Sequence, residues 1–237
     1  MLLSIIFGDY SLQDKFIIGV AYIVTIYFAI VLHEISHGFV AHLNGDDTAK
    51  VNGRLSLNPI KHFDPMGIAM MVLIGMGWAR PVPIDPRNFR KEKKGLVTVA
   101  LAGVTMNLIL SFLSFALFVG MGAILLKTDV TNSVVGTIIV KFFYYFGYLG
   151  TFLNISLIAF NLLPLFPLDG FRLIESLTKH ENKFVVFMRK YSIYFFVVLI
   201  ALDIIGDRTG LPINILGMYI GAVQDGITKL YALIFGI

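Results

Sequence analysis

The chain alternates long apolar runs with short polar stretches. Phe16–Leu43, Gly95–Leu126, Val134–Leu165 and Phe184–Ile205 each exceed the roughly 20 residues that a helix needs to cross a bilayer. Asn44-Gly45-Asp46-Asp47 reads as the stop of the first run, with the glycine supplying the turn. Leu211–Ile237 is apolar but interrupted by Gln224, Asp225 and Lys229, and reads as a fifth span or an interfacial helix. Leu2–Phe7 is too short for a span or a signal-peptide core and is expected at the interface. Between the first two long runs the pattern changes. Lys50–Pro59 alternates polar and apolar residues around Gly53, the pattern of short extended segments. Met66–Gly77 is apolar but too short to span, which suits a re-entrant or interfacial segment. Trp78–Pro86, with prolines at 81, 83 and 86, is expected to be extended. The predicted fold class is an all-α polytopic membrane protein with four to six transmembrane helices. It forms one domain over 1–237, with a core at 16–172 and C-terminal helices at 184–237.

Composition agrees. The chain is 57% hydrophobic and 14% charged, against about 25% charged in soluble domains. Its net charge of +4 is no nucleic-acid signal, because the cations gather in loops beside apolar runs. Of the 19 Lys and Arg residues, nine lie between Asn44 and Lys94 and five between Gly170 and Lys190. The opposite loops hold only Lys15, Lys127 and Arg208. The positive-inside rule therefore predicts a cytoplasmic location for both basic segments and an outside N-terminus. With no cysteine, disulfides, thiolate ligands and cysteine nucleophiles are excluded, and any zinc must be held by His and carboxylate groups.

Inside the first apolar run stands His33-Glu34-Ile35-Ser36-His37. Histidines four apart share one helix face and can hold one zinc ion, and the glutamate after the first is placed to take a proton from a water on that metal. Ionisable groups at membrane depth are costly and usually functional. Glu34 lies about 18 Å of helix from Asp46, within the bilayer and nearer the cytoplasmic end. A hydrolytic zinc site takes three protein ligands and keeps one position open. His42 lies off the shared face and reads as a polar helix-end residue, while His62 and His180 read as solvated loop residues. Asp169 is the better third candidate. It follows Asn161-Leu162-Leu163-Pro164-Leu165-Phe166-Pro167-Leu168, where two prolines break a helix at matching depth. The competing reading of Asp169 is a helix cap.

These residues resemble the site-2 protease family of intramembrane zinc metalloproteases. The resemblance rests on HEISH, on the distant Asn161-x-x-Pro164-x-x-x-Leu168-Asp169-Gly170, on Gly53–Pro59, on Lys61–Gly67 and on Gly77–Pro83. It covers roughly Phe16 to Arg172. It implies His33, His37 and Asp169 as ligands of one Zn2+, Glu34 as general base and Asn161 as a holder of the substrate carbonyl or oxyanion. Where members typically carry Ala-Gly-Pro, this chain has Ala102-Gly103-Val104 before Asn107. It looks like a minimal member, without PDZ-like or nucleotide-sensing domains, in a bacterial or archaeal cell membrane.

The function expected is intramembrane peptide hydrolysis of membrane-anchored protein substrates, as in regulated intramembrane proteolysis. A helical substrate must unwind locally. The stretch Arg54-Leu55-Ser56-Leu57-Asn58 is the candidate substrate-binding segment, adding itself to the unwound chain as a strand. The rival reading is an ion or metal transporter using the same polar residues as a relay. That reading predicts inverted repeats and polar groups spread over several spans.

Overall fold

The computed structural model describes residues 8–67, 79–127, 133–178 and 182–237. Among the described residues four helices are long and apolar enough to cross a membrane: α1 (Leu12–Leu43), α3 (Glu92–Leu125), α4 (Val134–Asn161) and α6 (Lys183–Thr209). Three shorter α-helices lie between and after them. They are α2 (Thr48–Val51), α5 (Asp169–Leu177) and α7 (Ile215–Phe235). Among the described residues there is no strand, only one isolated antiparallel bridge between Phe63 and Ala79.

The boundaries follow local chemistry. Ser11 caps α1 by accepting from the Asp14 amide, and Ser133 caps α4 by accepting from Gly136. Gly45, at φ 110°, turns the chain after α1 as the stop signal requires. The spans carry large apolar side chains on their outer surfaces, among them Phe16, Ile23, Leu113, Ile193 and Val197. Such exposure is a liability in water and ordinary against lipid.

α1, α3 and α4 pack together as the central bundle, with α7 against α4 and α6 beside α7. With little hydrophobic drive between helices in lipid, small residues decide how closely they approach. At Gly147 a Cβ would lie 2.6 Å from the Phe118 amide and 2.8 Å from the Ser114 carbonyl, so α3 and α4 meet backbone to backbone only because no side chain stands there. Ile18, Ala21 and Leu149 join α1 to α4, and Phe115, Ile155 and Tyr231 join α3, α4 and α7.

The polar segment between α1 and α3 is tied down at Asp46. This fully buried carboxylate accepts from the Asp85 amide at 2.8 Å, from Asn88 Nδ2 at 2.9 Å and from the Thr48 amide. The expectation of extended structure over Lys50–Pro59 is corrected. Thr48–Val51 is helical, Gly53 turns at φ 63°, and Asn58 caps a 3-10 turn at Pro59–Lys61. Local turn chemistry overrides the alternating pattern there. Residues 80–85 form neither helix nor strand, as the prolines require. The expected segments at Leu2–Phe7 and at Met66–Gly77 from residue 68 onward lie outside the described residues.

Candidate metal centre

α1 presents His33 and His37 from successive turns, both buried, with Glu34 beside them. The third group arrives from far along the chain. α4 ends at Asn161, the next seven residues turn, and Asp169 opens α5. Gly170 makes this possible. A Cβ there would lie 2.5 Å from the carbonyl carbon of Leu162 and 2.7 Å from the Leu163 oxygen. Phe171, wholly buried among Leu165, Val185 and Met188, anchors α5 against α6. The cap reading of Asp169 is not what the geometry gives: Leu168 is the N-cap and no side chain caps this helix. The carboxylate turns to the histidines instead.

Asp169 Oδ2 lies 3.3 Å from His33 Nε2 and 3.2 Å from His37 Nε2, and the two Nε2 atoms are 3.1 Å apart. The far side of each ring is engaged. His33 Nδ1 is 2.6 Å from Asn107 Oδ1, and His37 Nδ1 is 2.8 Å from the Val99 carbonyl. Both partners are acceptors, so in neutral imidazoles Nδ1 carries the proton and Nε2 offers a lone pair. Asp169 Oδ2 is buried with no hydrogen-bond donor among the described residues. In that form three lone pairs converge, an arrangement that a cation relieves. Imidazoles anchored through the second nitrogen are the usual form of metal-binding histidines. The donor set fits a divalent metal.

The space around the three groups is trimmed to them. A Cβ at Gly103 of α3 would lie 2.5 Å from Nε2 of both His33 and His37. A cavity of about 220 Å³ opens on the centre, lined by Glu34, Asn161, Leu168 and, from the proline-rich Ala79–Ile84 stretch, Ala79, Pro81, Val82 and Ile84. Glu34 Oε2 accepts from the Val82 amide at 3.1 Å, which fixes the carboxylate relative to that stretch. Asn161 stands at the end of α4 with Nδ2 donating to the Leu157 carbonyl. Its second N–H is free for another acceptor.

Arg54, Leu55, Ser56, Leu57 and Asn58 do not line this cavity. Arg54 is buried, and its guanidinium donates to the carbonyls of Arg80 and Pro81. Leu55 meets the Gly38 position, Ser56 and Leu57 offer carbonyls to His62 and Tyr27, and Asn58 caps its own turn. The segment acts as scaffold for Ala79–Ile84. His62 is not solvated but fully buried, with Nε2 2.6 Å from the Ser56 carbonyl, because the turn at Pro59–Lys61 folds its ring inward. His42 pairs with Asp47 at the helix end as read, and His180 lies outside the described residues. Sequence reasoning gave no role to Gly103, Asn107, Asn154 or Val99. The two asparagines did leave a signal, as lone amides within apolar spans. A backbone carbonyl such as that of Val99 leaves none.

A buried His-Glu-x-x-His helix meeting a distant aspartate, packed among membrane-length helices, is the arrangement of a membrane metalloprotease, and the family match bears out that class. Residues 21–202 match peptidase family M50, and the chain belongs to that family. It is 39% identical over 213 residues to a Bacillus subtilis (strain 168) protein named "Putative zinc metalloprotease YwhC", covering 90% of this chain and 91% of that one. Proteins with the same description and the designation Rip2 match more distantly. The one from Mycolicibacterium smegmatis is 30% identical over 150 residues, 61% of this chain and 52% of its own length. The one from Mycobacterium tuberculosis (H37Rv) is 28% identical over 173 residues, 71% of this chain and 61% of its own length. No solved structure matches the chain to a significant degree.

Proposed function

We propose that this metalloprotease hydrolyses peptide bonds in or beside the transmembrane segments of membrane-anchored proteins. Its centre faces the cytoplasmic side and its N-terminus lies outside. The observation that carries the reading is the convergence of His33 Nε2, His37 Nε2 and Asp169 Oδ2 within 3.3 Å of one another, buried among membrane-length helices and beside a glutamate. Two imidazoles and one carboxylate also serve iron(II) sites. The family and the names of its relatives favour zinc.

His33, His37 and Asp169 would hold the ion. When bound, zinc supplies a Lewis acid toward water and the scissile carbonyl. Glu34 accepts the proton of the attacking water and passes it to the departing amine. Its Oε2 is held by Val82, and Oε1 carries no hydrogen bond that would compete. Asn161 offers its free N–H to the carbonyl oxygen as charge develops there. The substrate chain unwinds along Ala79–Ile84, whose carbonyls at Arg80 and Pro81 are already occupied by Arg54. That occupancy keeps the wall of the cavity rigid and leaves substrate recognition to the groups farther along it.

The experiment compares membrane proteins co-reconstituted in liposomes with the wild-type chain and with Glu34→Gln, read by mass spectrometry of new peptide termini. New termini within or beside apolar segments are expected with the wild type alone. Equal cutting by both proteins removes the general base, and cation uptake without any cutting would establish the transporter reading.

A further inference from the structure

A row of buried amides runs from His33 across three helices. His33 Nδ1 on α1 meets Asn107 Oδ1 on α3 at 2.6 Å. Asn107 Nδ2 donates to Asn154 Oδ1 on α4 at 2.9 Å, and Asn154 Nδ2 donates to the Gly150 carbonyl at 2.7 Å. Asn107 is 0% exposed and Asn154 3%, so neither amide can exchange these partners for water.

The row has one allowed sense. Its far end is a backbone carbonyl, which only accepts. Asn154 must therefore turn its nitrogen to Gly150 and its oxygen to Asn107. Asn107 must then present nitrogen to Asn154 and oxygen to His33. With an acceptor at Nδ1, His33 carries its proton there and leaves Nε2 bare. Reversing either amide would set two acceptors or two donors face to face in a dry site, at the cost of buried unsatisfied groups.

We propose that Asn107 and Asn154 are positioning residues that fix which nitrogen of His33 faces the metal. Asn154 acts through Asn107, without touching the histidine. His37 needs no such relay, because a backbone carbonyl locks it directly. The consequence is assembly-dependent metal binding: His33 becomes a competent ligand only when α4 is docked on α3 and α1. α4 is also the helix that brings Asn161 to the cavity and leads the chain to Asp169. The inference rests on the metal reading of the centre but concerns residues that reading does not use.

The test is a double-mutant cycle on zinc affinity, measured on the detergent-solubilised full chain by competition with a fluorescent chelator. Asn154→Leu removes the acceptor that orients Asn107, and the expected loss is about 10- to 100-fold in affinity, the usual scale for groups behind a ligand. Asn107→Asp presents an acceptor oxygen to His33 whichever way it turns, so its orientation no longer depends on Asn154. In that background the second Asp oxygen faces Asn154 Oδ1, acceptor to acceptor, so Asn154→Leu should cost no more than about twofold or raise the affinity. A packing role would cost the same in both backgrounds, and that result, or no cost in either, overturns the relay. The unaltered protein gives a second readout. Imidazole 15N shifts of the metal-free chain should show His33 with its proton on Nδ1, and the opposite tautomer overturns the proposal. Zinc binding by the wild type separates the two readings: no binding defeats the metal centre itself, whereas normal binding with an additive cycle defeats only the relay.

Discussion

His33 and His37 come from a helix of 32 residues held against α3 and α4, and each ring has its second nitrogen engaged. Asp169 comes from a helix of nine residues, and its Oδ2 is buried without a donor. One half of the centre is thus oriented by protein alone, while the other half is complete only with a cation. Sequence mirrors this difference. The histidine half is a compact motif on successive turns of one helix, and the aspartate half is a junction whose position depends on Gly170 and on the anchoring of Phe171. A centre built this way keeps its imidazoles aimed when empty and couples its metal to the docking of α5.

The sharpest way to break the contrast is to crowd the oriented half. Gly103→Ala drives a methyl between the two Nε2 atoms and should abolish zinc binding, whereas Gly120→Ala, on the same helix with open space around it, should leave it unchanged. Metal analysis of the two purified proteins checks this. Next in size is Glu34→Gln, expected to lower kcat by about 10²- to 10⁴-fold while one zinc per chain is retained. Arg54→Gln frees the carbonyls of Arg80 and Pro81 and lets the cavity wall drift. Turnover should fall by about 10- to 100-fold with metal content unaltered, a displacement effect at a distance from the chemistry.

Metal removal sharpens the contrast without mutation. Chelation should speed amide exchange over Asp169–Leu177 and leave the α1 segment carrying His33 and His37 protected, because only the first depends on the ion for a partner. Exchange rising equally in both would contradict it. The smallest effect lies outside the centre, at Asp46. Burial pushes its pKa up, but hydrogen bonds from Asn88, Thr48 and the Asp85 backbone outweigh that and hold it below the ordinary value. A depressed carboxylate stabilises the fold above its unfolded pKa, and the contribution is lost as pH falls through the lower folded value. Thermal stability should therefore decline below pH about 4, and Asp46→Asn should remove about 2 kcal/mol near neutrality and flatten that decline.

What could be read in advance follows the reach of each interaction. The spans were legible because apolar runs of that length have one ordinary use, and their ends fell within a few residues of Leu43, Leu125 and Thr209. His33, Glu34 and His37 were legible because their spacing is set by the helix itself. Asp169 was reached through the broken helix before it and through family resemblance, since nothing local says which side of a bundle a carboxylate will face. The ends of Lys50–Pro59 were not legible, because alternation is a weak guide beside a left-handed glycine and an asparagine cap. The role of Gly103 was not legible for a different reason: its contribution is the absence of atoms where α3 passes the two histidine rings of α1.

X-ray absorption of the zinc-loaded chain, run alongside Asp169→Ala, most directly tests the idea that one ion is held jointly by α1 and α5. The spectrum should fit two imidazoles with oxygen donors at one zinc per chain, and the Asp169 variant should lose an oxygen or the metal itself. A wild-type chain that binds no zinc, or an identical coordination shell in the variant, would contradict it.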